Sequence, residues 1–183
     1  YIKETIPRLE GGRILKAWKL PPAEQQLLIL GAEIAATLLC DGKSSLIVKD
    51  LREEKRIIES IDIDLQILEE GGLILLDISC PEENLKIAET ELNKILKELT
   101  RGLVTHKDLK RAKKLVKNNI YFSLELSTQI ASILGNNALW GRRNSILNSI
   151  DDISYWTSER LNKFIFPLFK PENAFTLIAE PEK

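Results

Sequence analysis

Few residues of this 183-residue chain are suited to chemistry, and the first is a single histidine, His106. A catalytic zinc ion takes three protein ligands, and a serine or cysteine nucleophile needs a neighbouring base. One imidazole does not complete a zinc site, and the chain has no Gly-x-Ser-x-Gly turn to present a serine nucleophile. We therefore interpret His106 as a solvated residue in the first turn of a helix.

The other reactive residue types have structural interpretations. Cys40 and Cys80 are the only cysteines and lie far apart, which is typical of buried free thiols rather than of a disulfide framework or a zinc knuckle. The Gly-Lys-Ser run at 42–44 lacks the earlier glycine of a phosphate-binding loop. The acidic pairs at 53–54 and 151–152 are expected to be charges at helix ends.

The composition of the chain indicates which partners and which cellular location to expect. Lys and Arg total 26 and Asp and Glu total 27, so the net charge is -1 and no strong field favours nucleic acid or an acidic membrane. No apolar run reaches the length of about 18 residues that a membrane span requires. The chain has no Met and starts without a signal sequence, so we interpret it as a fragment of a longer chain. Without a disulfide pattern, a cytoplasmic location is expected.

Periodicity predicts the elements that would position any site. Strands are predicted at 13–20, 57–68, 73–80 and 174–179; helices are predicted at 23–40, from Ser44 or Ser45 to about 55, at 81–99, from 105 to about 134 with a break, and from 148 or 151 to about 169. The strand at 13–20 precedes two prolines and is predicted to suit a sheet edge. The strands at 57–68 and 73–80 are predicted to form an antiparallel hairpin.

The mixture of strands and helices lacks strict βαβ alternation. It therefore predicts an α+β fold, a two-layer α/β sandwich in which a mixed, largely antiparallel sheet is covered by helices on one face. No internal repeat or low-complexity linker divides the sequence, so a single domain over 1–183 is expected.

The segment from 42 to 61 carries the most specific pattern. Residues Gly42, Ser44 and Leu46 are followed by Leu-Arg-Glu at 51–53. The pattern resembles the later, metal-free half of the pitrilysin/insulysin family of zinc peptidases, which includes the mitochondrial processing peptidases. Ser45 stands where that family often has Arg, and Glu59 stands where it often has Tyr.

Further segments resemble the same family in the same order along the chain. They are Ala-Trp-Lys-Leu-Pro at 17–21, the Gly-x-Val-Thr, Asp-Leu and Ala-Lys pairs within 102–113, Glu125, Ala131, Gly135, Trp-Gly at 140–141, the segments 150–157 and 170–173, and Pro181. None of these matches is diagnostic alone, but together they cover nearly the whole chain. The resemblance implies the same α+β sandwich and a non-catalytic domain.

The resemblance also implies where chemistry would come from. Active relatives hold zinc on a His-x-x-Glu-His helix, which this chain lacks, so no cofactor is expected here and zinc is expected only in a partner half on the same or another chain. In those relatives an Arg and a Tyr of the later half reach toward the scissile carbonyl. Arg52 matches the Arg, whereas Glu59 replaces the Tyr with a carboxylate that would oppose an oxyanion. Arg52 could instead form a structural ion pair with Glu59 or Glu53.

Two functions follow from the resemblance. The first is the non-catalytic half of a pitrilysin-like zinc metallopeptidase, which contributes to a chamber for peptides or unfolded polypeptides and docks to the zinc-bearing half. The alternative is a degenerate family member that acts as a scaffold or interaction subunit without peptidase activity. The absent Tyr favours the second function, and the retained Arg52 weakly favours the first.

Overall fold

The computed structural model describes residues 1–99, 101–102, 104–142 and 146–182. The strands of the described residues are β1 (Ile2–Ile6), β2 (Gly12–Leu20), β3 (Ser60–Gln66), β4 (Gly72–Cys80) and β5 (Phe175–Pro181). They form one sheet in the order β1-β5-β2-β4-β3. β1 is parallel to β5 and the other neighbours are antiparallel, so the predicted mixed, largely antiparallel sheet is confirmed.

Helices pack against one side of this sheet. The described helices are α1 (Gln26–Cys40), a π-helical segment (Val48–Glu54), α2 (Leu85–Leu99), α3 (His106–Ser123), α4 (Ser127–Leu139), α5 (Ile146–Tyr155) and α6 (Ser158–Phe164). Short 3-10 turns lie at Glu82–Asn84, Phe166–Phe169 and Pro171–Asn173. The predicted two-layer α+β sandwich is confirmed. None of the described helices is both long and apolar enough to cross a membrane.

The core lies between the sheet and the helices because the two central strands alternate in burial. On β2, Ile14 and Trp18 are buried, and on β4 the residues Ile74, Leu76 and Ile78 are buried in the same way. Successive side chains of a strand point to opposite faces, so these residues share the face that the helices cover. The hairpin predicted for β3 and β4 is confirmed, since Ile63 pairs with Leu76 in an antiparallel ladder.

The first helix packs closely because one of its residues has no side chain. A Cβ atom on Gly31 would lie 2.5 Å from Cζ2 of Trp156 and 2.8 Å from Cδ1 of Ile165. The glycine therefore allows the fully buried indole of Trp156 to contact the α1 backbone. This contact joins the chain's C-terminal helices to its first helix.

The start of α3 agrees with the helix predicted from 105, and the Thr-x-x-Asp sequence at 105–108 forms a capping box there. Oγ1 of Thr105 accepts a hydrogen bond from the Asp108 backbone N–H at 3.2 Å, and the Thr105 N–H donates to Oδ2 of Asp108 at 3.3 Å. This reciprocal capping box satisfies two N–H groups that have no partner within the helix. α3 ends at Ser123 and α4 begins at Ser127, so the predicted break before 134 is also present.

Three local predictions are corrected by the structure, and one strand was not predicted. β2, predicted to suit an edge, is the central strand, because β4 and β5 both pair with it. Ser44 or Ser45 was predicted to begin a helix; the Ser45 hydroxyl does not cap that helix but donates to the Gly42 carbonyl at 2.7 Å, and the π-helical segment begins at Val48. The edge strand β1 was not predicted, since its residues are all exposed and lack apolar alternation. The helix predicted from 148 or 151 to 169 is divided into α5, α6 and a 3-10 turn.

Candidate functional site

The side of the sheet that faces away from the helices carries the most prominent surface of the molecule. We call this surface the open face; its apolar members are Ile2, Leu15, Ala17, Leu73, Leu75, Phe175 and Leu177. Leu15 is 37% exposed, Leu73 39% and Phe175 53%. Large apolar side chains that gather on one exposed surface mark an interaction site more often than isolated ones do.

The strand register places these residues in rows across the sheet. Leu15 pairs with Leu177 on β5 and with Asp77 on β4, while Ile2 extends the row on β1. The neighbouring row joins Phe175, Ala17 and Leu75. Paired residues point to the same face of a sheet, so the two rows form a continuous surface. The members of these rows on β2, β4 and β5 line a groove of about 330 Å³.

The open face changes from apolar to acidic toward β3. Asp62 pairs across the strands with Asp77, and Asp64 pairs with Leu75, so their carboxylates border the apolar groove. Nη1 of Arg13 lies 2.6 Å from Oδ2 of Asp77, and both side chains are substantially exposed. An extended chain crossing this face would therefore meet apolar contacts first and carboxylates at the β3 side.

Arg52, predicted from the resemblance, lies in the π-helical segment. Its Nε and Nη2 donate to Oε1 of Glu53 at 3.0 and 2.8 Å. Of the two structural ion pairs considered, the structure contains the one with Glu53. The segment is also anchored by Lys55, whose Nζ contacts Asp50 and Glu91. These two hydrogen bonds raise the pKa of Lys55.

Glu59, the other predicted residue, lies just before β3 and has different partners. It is exposed and accepts a hydrogen bond from Oγ of Ser79 at 3.2 Å. Its backbone N–H donates to the Ser79 carbonyl at 2.9 Å, which fixes the start of the strand. Glu59 also borders a wide polar groove together with Arg8 and Arg13. The described contacts therefore do not join Arg52 to Glu59.

The remaining reactive residues do not form a metal or nucleophile site in the described part of the chain. His106 is exposed at the first residue of α3. Burial raises the pKa of the Cys40 thiol well above its usual range and that of Cys80 to about 11. No group of three His, Cys, Asp or Glu side chains among the described residues could hold a metal ion. The residues present do not fit a zinc ion.

The fold places the chain in a class of α+β domains that is found in solved protease structures. A protease from Helicobacter pylori has the same fold with a TM-score of 0.86 and 16% identity; the match covers 98% of this chain and 44% of that one. The inactive peptidase domain of a protein described as a zinc protease from Bordetella parapertussis gives a TM-score of 0.82 at 16% identity, with 97% of this chain and 95% of that one covered.

The sequence identifies the family within this class. The profile described as "peptidase M16 inactive domain" matches residues 2–116, and the chain belongs to that family. A subunit of complex III2 from Candida albicans, with Inz-5 bound, shares the fold with a TM-score of 0.77 and 15% identity, over 97% of this chain and 45% of that one. No curated protein matches the sequence. The chain thus spans about 44% of the length of the Helicobacter protein.

Sequence reasoning missed the open face. β4 is apolar at nearly every position from Leu73 to Cys80, which predicts a strand buried on both sides. On β2 the alternation of Leu15 and Ala17 with Ile14, Lys16 and Trp18 offers no polar face to recognise. The usable signal was Asp77, the single charge within β4.

Proposed function

We propose that this chain is the non-catalytic half of an M16 zinc metallopeptidase and that its open face forms one wall of a peptide-binding chamber. The observation that carries the proposal is the apolar surface formed by the exposed Leu15 and Phe175 and the partly exposed Leu75, on a sheet whose central strands are buried on their other face. In this proposal a zinc-bearing His-x-x-Glu-His half, on the same or another chain, closes the chamber and supplies the metal. The whole of 1–183 then acts as one non-catalytic domain.

The chemistry of the open face indicates which polypeptides it would hold. Apolar side chains would pack against Leu15 and Phe175, and a basic side chain would approach the carboxylates of Asp62 and Asp64. Both edge strands also have an unpaired side among the described residues, since β1 pairs only with β5 and β3 only with β4. An extended peptide can add to such an edge through its backbone. Unfolded polypeptides are therefore the proposed substrate. The proposal includes no role for nucleic acid or membrane, and it assigns the protein a cytoplasmic location.

Reconstitution of the enzyme from its two halves tests whether the open face forms a wall of the peptide-binding chamber. The chain is combined with a zinc-bearing half, and cleavage of an unfolded polypeptide is measured beside the assembly of the two halves in sedimentation. We expect Phe175→Glu and Leu15→Glu to lower kcat/KM at least tenfold, because each places a charge in the apolar groove, while assembly is retained. Leu134→Glu is the matched control, since Leu134 is exposed on α4 at 59% and lies outside the groove. Equal losses of kcat/KM in all three variants would contradict the proposal that the open face binds the substrate.

Arg52 and Glu59 enter the proposal as substrate-binding positions. An arginine can donate to a developing oxyanion once its pairing with Glu53 is exchanged, whereas Glu59 offers only acceptors. In the reconstituted enzyme, Glu59→Tyr is expected to raise kcat, because a phenol donates where the carboxylate repels. A rate that is unchanged or lower would show that the carboxylate is not what limits catalysis.

The alternative function is a scaffold or interaction subunit without peptidase activity. The carboxylate of Glu59 in place of Tyr favours it, as does the shared fold with a complex III2 subunit. Under this alternative the two halves assemble, and no polypeptide is cleaved by the wild type or by Glu59→Tyr. Cleavage that depends on zinc and on Phe175 would exclude it.

A further inference from the structure

A second cavity lies on the helix-covered side, away from the open face. It has a volume of about 500 Å³ and opens between α1, β3, α3 and α4. Its apolar walls are Ile29, Ile63, Leu65, Ile120 and Ile133. Sites for small molecules have volumes of about 300 to 1,000 Å³, mostly apolar walls and a few convergent polar groups. The size of this cavity meets that description, and its lining is divided about equally between apolar and polar residues.

One polar group of the cavity is the guanidinium of Arg142. Its Nε donates to the Ala23 carbonyl at 2.8 Å, and its Cζ lies 4.8 Å from the centre of the Trp140 ring. These contacts hold the guanidinium in place. Its Nη2 is buried and has no hydrogen-bond partner among the described residues. A buried donor without a partner costs roughly 1 to 3 kcal/mol, so this nitrogen is ready to donate to a ligand.

The second polar group is the carboxyl of Glu33, which projects from α1 into the same cavity. Burial raises the pKa of Glu33 to about 7, and the charge of Arg142 partly opposes that rise. The carboxyl oxygens of Glu33 are hydrogen-bond acceptors. Glu33 and Arg142 therefore place an acceptor and a charged donor in a cavity whose lining also includes neutral polar side chains, among them Asn119 and Asn137.

The cavity is not closed by α4, the helix that borders it. α4 has no buried residue, although Ile133 and Asn137 reach the cavity wall. A well-packed interior leaves few voids larger than a water molecule. Among the described residues, Nη2 of Arg142 has no hydrogen-bond partner, and a space of this size beside it is better explained by a bound molecule than by packing.

We propose that this cavity binds a small neutral carboxamide with a compact apolar body. The amide carbonyl accepts from Nη2 of Arg142, and the amide N–H donates to the carboxyl of Glu33. The apolar body lies against Ile29, Ile63 and Ile120. A ligand carboxylate would be repelled by Glu33 and a ligand ammonium by Arg142, so a neutral head that both donates and accepts is the best match. The assignment is independent of the peptidase proposal.

Titration of the full chain with 3-phenylpropionamide, followed by amide NMR shifts, tests the site. We expect shifts that cluster on α1 and β3 and a Kd of about 1 mM, as is usual for a probe of this size. The matched probes 3-phenylpropionate and 3-phenylpropylamine have the same apolar body and should bind at least tenfold more weakly. Equal binding of the three probes, or shifts on the open face instead, would overturn the assignment.

Two variants separate the site from general surface binding. Ile133→Trp should fill the cavity and reduce carboxamide binding at least tenfold, whereas Leu134→Trp, one residue along α4 and outside the cavity wall, should leave it unchanged. Arg142→Met should remove the preference for the amide over the amine. Near-UV circular dichroism checks that each variant is folded. Undiminished binding to folded Ile133→Trp would overturn the proposal.

Discussion

The two faces of the sheet are built from the same kinds of residue but differ in what covers them. On the covered face, Ile74 and Leu76 are almost completely buried under the helices. On the open face, Leu73 and Leu75 come from the same strand, yet Leu73 is exposed and Leu75 is only partly buried. The covered face therefore provides the stability of the domain, and the open face is left for a partner or a substrate.

The largest expected effect on stability comes from the same substitution, leucine to alanine, at two neighbouring positions of β4. Leu76→Ala should lower the free energy of unfolding by about 3 kcal/mol, because it leaves a cavity in a side-chain site that is 1% exposed. Leu75→Ala on the open face should cost about 1 kcal/mol or less. Urea denaturation of both variants measures the difference. Similar losses would mean that the open face is also part of the packed interior.

A second test concerns how closely the covering layer is packed. Gly31→Ala should cost about 2 kcal/mol, because its Cβ would overlap Trp156 and Ile165. Gly135→Ala on α4 is the matched control; a Cβ there meets nothing within 4 Å, so it should stabilise the helix by up to about 1 kcal/mol. Thermal unfolding of both variants measures whether each substitution raises or lowers stability. A neutral result at Gly31 would show that Trp156 can move without cost.

The covered side also holds a carboxyl whose ionisation should make stability depend on pH. The pKa of Glu33 is raised from 4.5 to about 7 in the folded chain. The contribution of Glu33 to the free energy of unfolding is therefore complete below pH 4.5 and is lost as the pH rises through 7. A pKa rise of this size corresponds to about 3 kcal/mol for a fully buried carboxyl. Because the side chain of Glu33 is only partly buried, Glu33→Gln should be about 1.5 kcal/mol more stable than the wild type at pH 8, with little difference at pH 4.

Exposed acids provide the control for that pH profile. Asp62 lies on the open face in water, and Asp62→Asn should change the free energy of unfolding by less than about 0.5 kcal/mol at pH 4 and at pH 8. Urea unfolding at the two pH values measures both variants. A pH profile for Glu33→Gln as flat as that of Asp62→Asn would mean that Glu33 is hydrated.

The smallest effect is expected for the ion pair of the open face. A double-mutant cycle with Arg13→Ala and Asp77→Ala should give a coupling energy below about 1 kcal/mol, since both side chains are exposed and salt screens the pair. Raising the salt concentration should reduce the coupling further. A coupling above about 2 kcal/mol would show that the open face is drier than its exposure indicates.

Most of the fold was predictable because local patterns and tertiary contacts agree. The alternation of Ile61, Ile63 and Leu65 with acids on β3 predicted a half-covered strand, which the structure contains. The Thr-x-x-Asp signal at 105–108 placed the start of α3. In both cases neighbouring residues make the deciding contacts, so a short window of sequence is enough.

The failures have a common cause, which is that they depend on distant parts of the chain. β1 is held by pairing with β5, about 175 positions later, and its own residues are all exposed. β2 is central only because β5 returns to pair beside it. The partners of Arg52 and Glu59 likewise follow from how the π-helical segment and β4 are placed.

The sequence by itself determined the fold class, the family and the absence of a zinc-binding histidine pair, since these depend on residue types and local spacing. Only the tertiary structure decided which face of the sheet is covered. It also brought Glu33 and Arg142 to one cavity from positions more than 100 residues apart. Strand order and helix placement are set by the sum of many long-range contacts, and no single segment of the sequence contains that sum.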